Sequence, residues 1–399
     1  MLRLMQVFVQ ATQALPNLPR KWRNTEMTKI RIAIIGAGMI ANSAHFPALK
    51  PLREEGLCEV VGVADIRPEA ARETALRHDV PNWYVDPQQM LDELHPDFVA
   101  VCTPNVAHKE WTIKALKAGA HVACEKPIAV TLADAAQMWA VAESTGKKLF
   151  PCQCMRWRNY MQQSKKLVES GELGEIYFSD VEFIRRIGIP TWGMFHMKEQ
   201  NFGGPFCDLG VHLIDSLLWI VGNKKVKSVS GCAYTKIANK GEDVLLSIAE
   251  SGAYNGTFTP RPYDPKEFDV EEFATGFMRL EDGMSVNFKF SWAINLPTTN
   301  LNMTICGDAA GLSVNKETLY KNIAGFQSEC EMKWFDNGQY KGVPFEQHRY
   351  MYRHIFDVLA GKAEYLITKE QNLEVTKAIE CFYKSAELGR EISAAELTI

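Results

Sequence analysis

A glycine-rich turn that begins at Gly36 is the first stretch of this sequence whose residue types suggest chemistry. The motif Gly36-x-Gly38-x-x-Ala41 directly follows a run rich in β-branched residues, Lys29 to Ile35. The first glycine permits a tight turn, the second lets the backbone approach a pyrophosphate, and the small Ala41 lets a helix pack closely on the strand. The N–H groups that open such a helix bind phosphates. The motif predicts nucleotide binding, although a plain strand–turn–helix corner has the same pattern; the expected binding residues are Gly36, Ala37, Gly38, Met39 and Ile40.

An acidic residue ends the second apolar run, Cys58 to Asp65, where a dinucleotide fold holds its ribose hydroxyls. Asp65 lies 27 residues after Gly38, beyond the usual spacing of about 20. A broken, lengthened crossover at 42–56, which contains two prolines, would absorb the difference. An acid here favours NAD because it would repel a 2′-phosphate, while Arg67 nearby leaves NADP open.

Three further residues have side chains that could bind or transfer a proton. Lys126 is predicted at the carboxyl end of a strand, between an acid and a proline, and the alternative is a solvated surface lysine. Asp208 and His212 are four residues apart, so a helix would place them on one side. A histidine that titrates near neutrality is suited to general acid or base chemistry, and a nearby acid or lysine can tune its pKa. The alternative is a helix-capping aspartate beside a structural histidine.

The elements that must position these residues change character near residue 154. Up to that point short apolar runs alternate with helical segments, which predicts βαβ units and a parallel sheet with polar residues at its strand ends. After it, a helix is expected at 155–170, and strand-like runs then dominate. These runs predict a mostly antiparallel sheet; they are Ile176–Ile184, Val226–Tyr234, Phe273–Leu280, Met284–Trp292 and Asn300–Cys306. We therefore expect an α/β domain at 29–153 and an α+β domain at 154–399.

Composition excludes some classes of function and partner. The 399 residues are 46% apolar and 23% charged, and the formal charge of -4 offers no electrostatic case for nucleic acid or an anionic membrane. No apolar run approaches the ~18 residues of a membrane span. Ten cysteines lack paired metal spacing, and Cys152-x-Cys154 is interpreted as buried thiols rather than half of a zinc site. No metal is expected, and the free thiols suit a reducing cytoplasm.

Residues 1–28 differ from the rest of the chain. This segment carries Arg3, Arg20, Lys21 and Arg23 but one acid, and its basic residues mostly follow its apolar part, unlike a signal peptide. We expect a disordered extension or a start assigned too early, with an arm around a neighbouring subunit as the alternative. The last helix, at about 369–389, is expected to pack back on the N-terminal domain.

Four motifs in order resemble the Gfo/Idh/MocA oxidoreductases, which include glucose-fructose oxidoreductase and inositol dehydrogenase. They are the glycine motif at Gly36, Thr103-Pro104-Asn105-x-x-His108, Glu125-Lys126-Pro127, and the segment from Gly203 to Asp215. The resemblance implies an N-terminal Rossmann domain and a C-terminal domain on an open-faced sheet, with substrate between them against the nicotinamide. It also implies that Lys126 binds and polarises the reacting hydroxyl, Asp208 contacts substrate and His212 is the acid/base.

The same resemblance suggests roles for further residues. Thr103, Pro104, Asn105 and His108 are expected beside the nicotinamide ribose, and Glu125 and Lys126 are expected to contact the cofactor. Four candidates for substrate contact have structural alternatives. Arg156 would touch substrate or cofactor phosphate, or form an interdomain salt bridge. Trp192 would stack on a sugar ring or pack in a core; Asp215 would bind a substrate hydroxyl or pair within its helix; His348 would open a helix that reaches the cleft.

The expected activity is hydride transfer between C4 of NAD(P) and a carbinol carbon of a sugar, polyol or glycoside. One alternative recycles its NAD through transient oxidation at C3 of a glycoside, ending in elimination or a 3-keto glycoside. A non-enzymatic nucleotide sensor should lack Lys126 and His212, and a reductase of non-sugar substrates often departs from the Asp-x-x-x-His pattern. The family resemblance also suggests a homo-oligomer, dimer or tetramer, formed through the exposed face of the second sheet.

Overall fold

The computed structural model describes residues 29–239, 257–333 and 341–398. The extension at 1–28 lies outside the described residues. None of the helices within these ranges is long and apolar enough to span a bilayer.

The first domain is a six-stranded parallel sheet with strand order β3-β2-β1-β4-β5-β6. Its helices flank the sheet on both faces. The strands are β1 (Ile30–Ile35), β2 (Cys58–Ala64), β3 (Trp83–Tyr84), β4 (Phe98–Val101), β5 (His121–Cys124) and β6 (Leu149–Pro151). The helices are α1 (Phe46–Glu54), α2 (Pro68–Arg77), α3 (Pro87–Leu94), α4 (His108–Lys117) and α5 (Leu132–Thr145). This is the predicted Rossmann-type arrangement.

Strand β1 shows why this sheet is covered on both faces. Side chains alternate along a strand, so Ile32 and Ile34 pack in one apolar core while Ala33 and Ile35 pack in the other. All four are at most 1% exposed. A strand that is apolar on both faces is typical of a parallel sheet between two helix layers.

The crossover between β1 and β2 differs from the expected broken segment. A π-helical turn, Ala41–His45, runs directly into α1. Pro47 lies in the first turn of that helix, where its missing N–H has no intrahelical acceptor anyway, and Pro51 lies inside it. The expectation of a break was therefore wrong. A single widened turn lets the helix continue and faces Asn42 and His45 inward, where both are buried.

The second domain is organised around a nine-stranded sheet with order β14-β13-β12-β11-β7-β10-β9-β8-β15. Strands β7 and β10 pair in parallel, and every other pair is antiparallel. The strands are β7 (Ile176–Ile184), β8 (Val226–Tyr234), β9 (Phe273–Leu280), β10 (Ser285–Ser291), β11 (Thr299–Gly307), β12 (Ala310–Ser313), β13 (Thr318–Ile323), β14 (Phe326–Glu331) and β15 (Ile392–Ser393).

The five predicted strands of this domain are present within a residue or so of their expected bounds, but β12 to β15 were missed. Strands β12 and β15 are too short for alternation to show, and β13 and β14 contain no fully buried residue. The helix expected at 155–170 also begins later than predicted. A 3₁₀ turn at Cys154–Trp157 and an extended Arg158 (ψ 136°) precede it.

The helices of the second half of the chain are α6 (Asn159–Glu169), α7 (Lys198–Asn201), α8 (Val211–Ile220), α9 (Glu346–Leu359) and α10 (Lys369–Leu388). They divide between the two domains: α8 and α10 pack on this sheet, and α9 packs on the first domain. Phe206 stacks on Phe382 of α10, with ring centroids 4.1 Å apart, at the centre of the largest apolar cluster. Helix α10 also contacts α5, where Trp139 donates to the Asn372 side chain at 3.1 Å. Helix α9 packs on α1, so the two domains share apolar cores.

Candidate active site

A cleft between the domains lies at the carboxyl ends of β1, β2, β4 and β5. Both domains line it, and most of the predicted binding residues are there. They are Gly36, Gly38, Met39, Ile40, Asp65, Arg67, Thr103, Pro104, Asn105, His108, Glu125, Lys126, Trp192 and Asp208. The topology brings them together because parallel strands end at one edge of the sheet.

The glycine turn has the local geometry expected of a phosphate-binding loop. Gly36 has φ +99°, and a Cβ there would lie 2.4 Å from the Cys102 carbonyl oxygen, so only glycine fits. A Cβ on Gly38 would meet no atom within 4 Å, which leaves open space above its backbone. Open space over a helix-opening turn is what a pyrophosphate requires, so the residues present fit a dinucleotide.

Asp65 binds the glycine turn from the end of β2. Its carboxylate accepts hydrogen bonds from the N–H groups of Ala37 and Arg67, both at 2.9 Å. The Arg67 side chain lies 3.5 Å from the same carboxylate. Asp65 therefore fixes the turn while presenting a carboxylate to the cleft, which suits a ribose diol. The nearby guanidinium is the group that a 2′-phosphate would need.

The Thr103–His108 loop is held against the segment that carries Lys126. The His108 ring contacts the Pro127 carbonyl oxygen at 2.7 Å and the Thr103 carbonyl oxygen at 3.0 Å. Asn105 donates to the Asn201 carbonyl oxygen at 3.0 Å, which joins this loop to the second domain. The Lys126–Pro127 peptide is cis. His108 thus positions two cleft segments and is itself buried.

Lys126 and Asp208 face each other across the domain boundary. The Lys126 ammonium donates to Asp208 Oδ1 at 3.0 Å and to the Asp208 carbonyl oxygen at 2.8 Å. The Trp292 indole N–H donates to Asp208 Oδ2 at 3.0 Å. Burial alone would raise the pKa of Asp208, but the Lys126 and Arg185 charges and these hydrogen bonds hold it below its usual value. Asp208 is therefore ionised at neutral pH.

His212 follows one turn later, in α8. The segment that carries Asp208, Phe206–Gly210, is a π-helical turn rather than a regular helix start. Burial and then the Lys126 charge lower the pKa of His212 well below its usual value, so the ring is neutral and can accept a proton. Its Nδ1 is buried without a hydrogen-bond partner among the described residues. His212 is not among the side chains that line the cleft.

Two residues that position Asp208 were missed in the sequence. Buried Glu271 accepts hydrogen bonds from the N–H groups of Gly204 and Phe206, at 2.9 and 3.3 Å, and from the Tyr383 hydroxyl at 2.8 Å. It anchors the start of the π-turn. Trp292, the other, was predicted only as the end of a strand. The only sequence feature that marks Glu271 is that an acid follows the apolar Val270. The residues near it in the sequence do not indicate which groups it binds.

Arg156 and Asp215 do not reach the cleft. Their side chains form a double ion pair at 2.7 and 2.8 Å, and each is 1% exposed. Arg156 also donates to the Leu366 carbonyl oxygen at 3.1 Å, close to α10. This position corrects the expectation of substrate or cofactor contact for both residues and of pairing for Asp215 within its own helix. The salt-bridge alternative for Arg156 describes what is seen.

Of the other two substrate candidates, Trp192 lies in the cleft and His348 does not. Trp192 lines the cleft and packs edge-on against Phe195, at 6.3 Å between ring centroids. His348 is 3% exposed and lies behind the cleft wall, 3.6 Å from Glu125, so the expectation that it reaches the cleft is not met. Glu125 also contacts His45 at 2.8 Å.

Comparisons with known proteins agree with this geometry. Residues 30–152 match the model of an oxidoreductase family with an NAD-binding Rossmann fold, and residues 161–313 match the C-terminal domain model of Gfo/Idh/MocA proteins. The D-glucoside 3-dehydrogenase of Escherichia coli is 31% identical over 91% of this chain and 97% of its own length. The NADP-dependent scyllo-inositol 2-dehydrogenase of Bacillus subtilis is 24% identical over 91% and 95%.

A solved structure shares the fold as a whole. A levoglucosan dehydrogenase in complex with NADH and levoglucosan superposes with a TM-score of 0.76 at 17% identity, over 92% of this chain and all of the other. The ordered motifs, the two domain matches and the full-length relative lead to one assignment. This chain belongs to the Gfo/Idh/MocA family of NAD-binding oxidoreductases.

Proposed function

We propose that this protein is an NAD(P)-dependent dehydrogenase that oxidises one carbinol of a sugar, polyol or glycoside. The observation that supports this most directly is the Lys126–Asp208 pair, at 3.0 Å, on the cleft wall beside the predicted nicotinamide position. A cationic donor held by an ionised acid, with a neutral histidine one turn away, is a suitable set for binding and deprotonating an alcohol.

The proposed roles follow from the protonation states. Bound NAD supplies the hydride acceptor. Lys126, already oriented by the Asp208 carboxylate and carbonyl, donates a hydrogen bond to the substrate hydroxyl and stabilises the developing alkoxide. His212, neutral because of burial and the Lys126 charge, takes the hydroxyl proton. His212 is proposed to reach that proton once substrate occupies the cleft, since catalytic hydrogen bonds often tighten only in the complex.

A carbohydrate is the substrate class that the site and the relatives both support. The cleft offers Trp192 and Phe195 as apolar ring surfaces together with polar Asn201 and Gln200, a mixture that matches the two faces of a sugar. Relatives named for glucosides and inositols act on secondary alcohols of rings.

The test compares K126M and H212Q with the unaltered protein on a panel of sugars, polyols and glucosides. K126M is expected to lower kcat/KM by roughly 10²- to 10⁴-fold, and H212Q by a similar factor, because each removes a group that acts in the transition state. NAD affinity, measured by fluorescence titration, should change little in H212Q. Turnover of no panel member by the unaltered protein, or full activity of both variants, would contradict the proposal.

A second candidate is an enzyme that keeps its NAD bound and recycles it, and the contacts between residues 257–261 and α2 favour it. Residues 257–261 of the second domain lie against α2: Arg67 donates to the Thr259 carbonyl oxygen at 3.2 Å, and Arg77 donates to that of Thr257. Phe258 and Arg261 line the cofactor cleft. Such a strap would slow cofactor release. Nicotinamide nucleotide that co-purifies with the protein, and is reduced and reoxidised without exchange, would favour this candidate over a simple dehydrogenase.

We infer a homo-oligomer formed through the second sheet, supported by exposed apolar side chains on its strands, such as Tyr177, Ile323 and Phe326. Light scattering on F326D against the unaltered protein tests it, with dissociation expected. A reducing cytoplasm is supported by ten cysteines that are all unpaired.

A further inference from the structure

A buried cluster of three side chains lies directly behind the cleft wall. His45 comes from the π-turn before α1, Glu125 follows β5, and His348 comes from the first turn of α9. One nitrogen or oxygen from each lies within 4.8 Å of the other two. His45 Nε2 is 2.8 Å and His348 Nε2 is 3.6 Å from Glu125 Oε1, and the side chains are 0, 3 and 6% exposed for His45, His348 and Glu125.

The charge balance of this His45–Glu125–His348 cluster favours a cation. A carboxylate removed from water is costly unless a positive group or several donors offset it. Two neutral imidazoles leave one net negative charge in the cluster. Either one imidazole is protonated or a metal ion binds, and both alternatives place the positive charge among the same three side chains.

The surroundings of the cluster have the features of a metal site's outer layer. The second nitrogen of His45, Nδ1, contacts the Tyr352 hydroxyl at 2.6 Å, and Glu125 Oε2 accepts the Lys126 N–H at 3.1 Å. Metal-bound histidines and carboxylates commonly have such partners, which fix the ring orientation and the tautomer. With Nδ1 engaged by Tyr352, the lone pair of His45 Nε2 would be directed at the cluster.

His348 is held less closely than His45. Its Nε2 lies 3.6 Å from Glu125 Oε1, and neither nitrogen of its buried ring meets the distance and angle criteria of a hydrogen bond with a described residue. Glu125 and the Cys154 thiol are the polar groups that interact with the ring. An ion bound at Nε2 would give this buried imidazole a closer partner.

We propose that His45, Glu125 and His348 bind one divalent transition-metal ion, with zinc as the preferred occupant. Two imidazoles and a carboxylate suit zinc, whereas magnesium and calcium prefer sets of oxygen ligands. Tetrahedral zinc places neighbouring ligand atoms about 3.3 Å apart, between the two separations seen here. Because His348 belongs to the second half of the chain, the ion would join the domains beside Lys126. This inference does not depend on the proposed activity.

The test uses the full chain without a polyhistidine tag. Protein freed of metal by a chelator is equilibrated with zinc chloride, and bound zinc is measured by mass spectrometry. About one zinc per chain is expected, with affinity lowered roughly tenfold or more in H45Q and H348Q, and also in Y352F, which keeps all three ligands but loses the outer contact. H354Q, on the same helix but outside the cluster, is the matched control and should bind zinc as the unaltered protein does.

Cobalt substitution provides a readout of ligand geometry. Cobalt(II) bound to the unaltered protein and to H354Q should show the visible absorption of a tetrahedral site, and H348Q should not. Circular dichroism and NAD binding establish that each variant is folded. If the unaltered protein binds no zinc, or if H45Q and H348Q bind it as tightly as H354Q, the proposal is overturned and the cluster is a hydrogen-bonded network. If a histidine variant does not fold, the proposal is decided by the zinc stoichiometry of the unaltered protein and by the affinity of Y352F.

Discussion

At the scale of single residues, three hydrogen bonds hold the Lys126–Asp208 pair in place. Lys126 binds both the carboxylate and the carbonyl of Asp208, and Trp292 binds the remaining carboxylate oxygen. An ammonium group alone on a flexible side chain loses considerable rotamer entropy when it becomes ordered. Holding it before substrate arrives lowers the cost of ordering it during the reaction.

Replacing Trp292 by phenylalanine is predicted to slow turnover without unfolding the protein. The change keeps a smaller aromatic ring in place of the indole and removes the N–H that binds Asp208 Oδ2. A hydrogen bond to a charged group contributes about 1.5–3 kcal/mol, so kcat/KM should fall roughly 10- to 100-fold. F268L, which alters packing on the same indole ring (6.5 Å between centroids) but not the hydrogen bond, is the control. Equal losses in both variants would show that packing alone matters.

Asp65 is predicted to determine the preference between NAD and NADP. D65S removes the negative charge that a 2′-phosphate would meet and leaves Arg67, 3.5 Å from the present carboxylate, free to approach it. The ratio of kcat/KM values for NAD and NADP should shift toward NADP by about 10-fold or more. The R67Q/D65S double variant should lose much of that gain. An unchanged ratio in D65S would assign the preference to other residues.

At the scale of elements, two π-turns deliver residues to the site. One, Ala41–His45, places His45 beside Glu125, and the other, Phe206–Gly210, places Asp208 beside Lys126. A π-turn adds a residue to a helical turn, so side chains that follow it point in a new direction. Both occur where a helix begins against the interdomain cleft. The widened turns therefore belong to the site's geometry.

Helix α2 ends at a histidine whose environment makes stability depend on pH. Burial, with the charges of Arg77 and Arg53, lowers the pKa of His78 to about 4 from 6.5, and the ring stacks on Phe46 at 4.1 Å. The unfolded chain binds the proton below pH 6.5 and the folded chain only below about 4. The contribution of His78 to stability is therefore fully present above pH 6.5 and is lost as the pH falls from 6.5 to about 4, by about 3 kcal/mol in total.

The variant H78Q should flatten this acid limb. Its amide can still donate to Asn42 Oδ1, which His78 contacts at 3.0 Å, but it does not titrate. Urea unfolding at several values between pH 7 and 4 measures the difference. L76Q, at an exposed position of the same helix, should keep the slope of the unaltered protein. A slope in H78Q equal to that of L76Q would assign the pH dependence to other groups.

At the scale of the whole molecule, the domains are joined by buried polar contacts as well as apolar cores. Arg156 follows β6 and binds Asp215 of α8, and the Gln371 side chain of α10 also accepts from it. The Leu132 N–H at the start of α5 donates to Glu380 of α10 at 2.7 Å. These contacts hold together the two domains whose residues line the cleft.

Breaking the Arg156–Asp215 pair should therefore destabilise the whole fold. R156M leaves a carboxylate buried without a partner, which costs about 3–5 kcal/mol. The exposed pair Arg390–Glu396, 2.7 Å apart, is the control, and R390M should destabilise the fold far less because water screens both charges. R156M/D215L should recover part of the loss because it removes both charges. Thermal and urea unfolding measure all three, and equal losses in R156M and R390M would contradict this account.

The sequence by itself determined the local chemistry. The Gly36 motif, the strand runs and the ordered motifs around Lys126 and Asp208 depend on spacing and residue type over short distances, and the parallel sheet followed from its alternation with helices. The predicted family and the predicted fold were therefore both confirmed. Strands β13 and β14, the last two at one end of the second sheet, were missed because exposed strands lack a buried face to create a pattern.

Only the tertiary structure decided which distant residues meet. Arg156 and Asp215 are 59 positions apart and neutralise each other, while Trp292 reaches Asp208 across 84 positions. His45, Glu125 and His348 come together from three elements that no local pattern connects. A side chain's partner across the sequence depends on packing angles, and the π-turns alter those angles by a residue that propensity does not reveal. Residue types set what chemistry is available, and packing determines where it occurs.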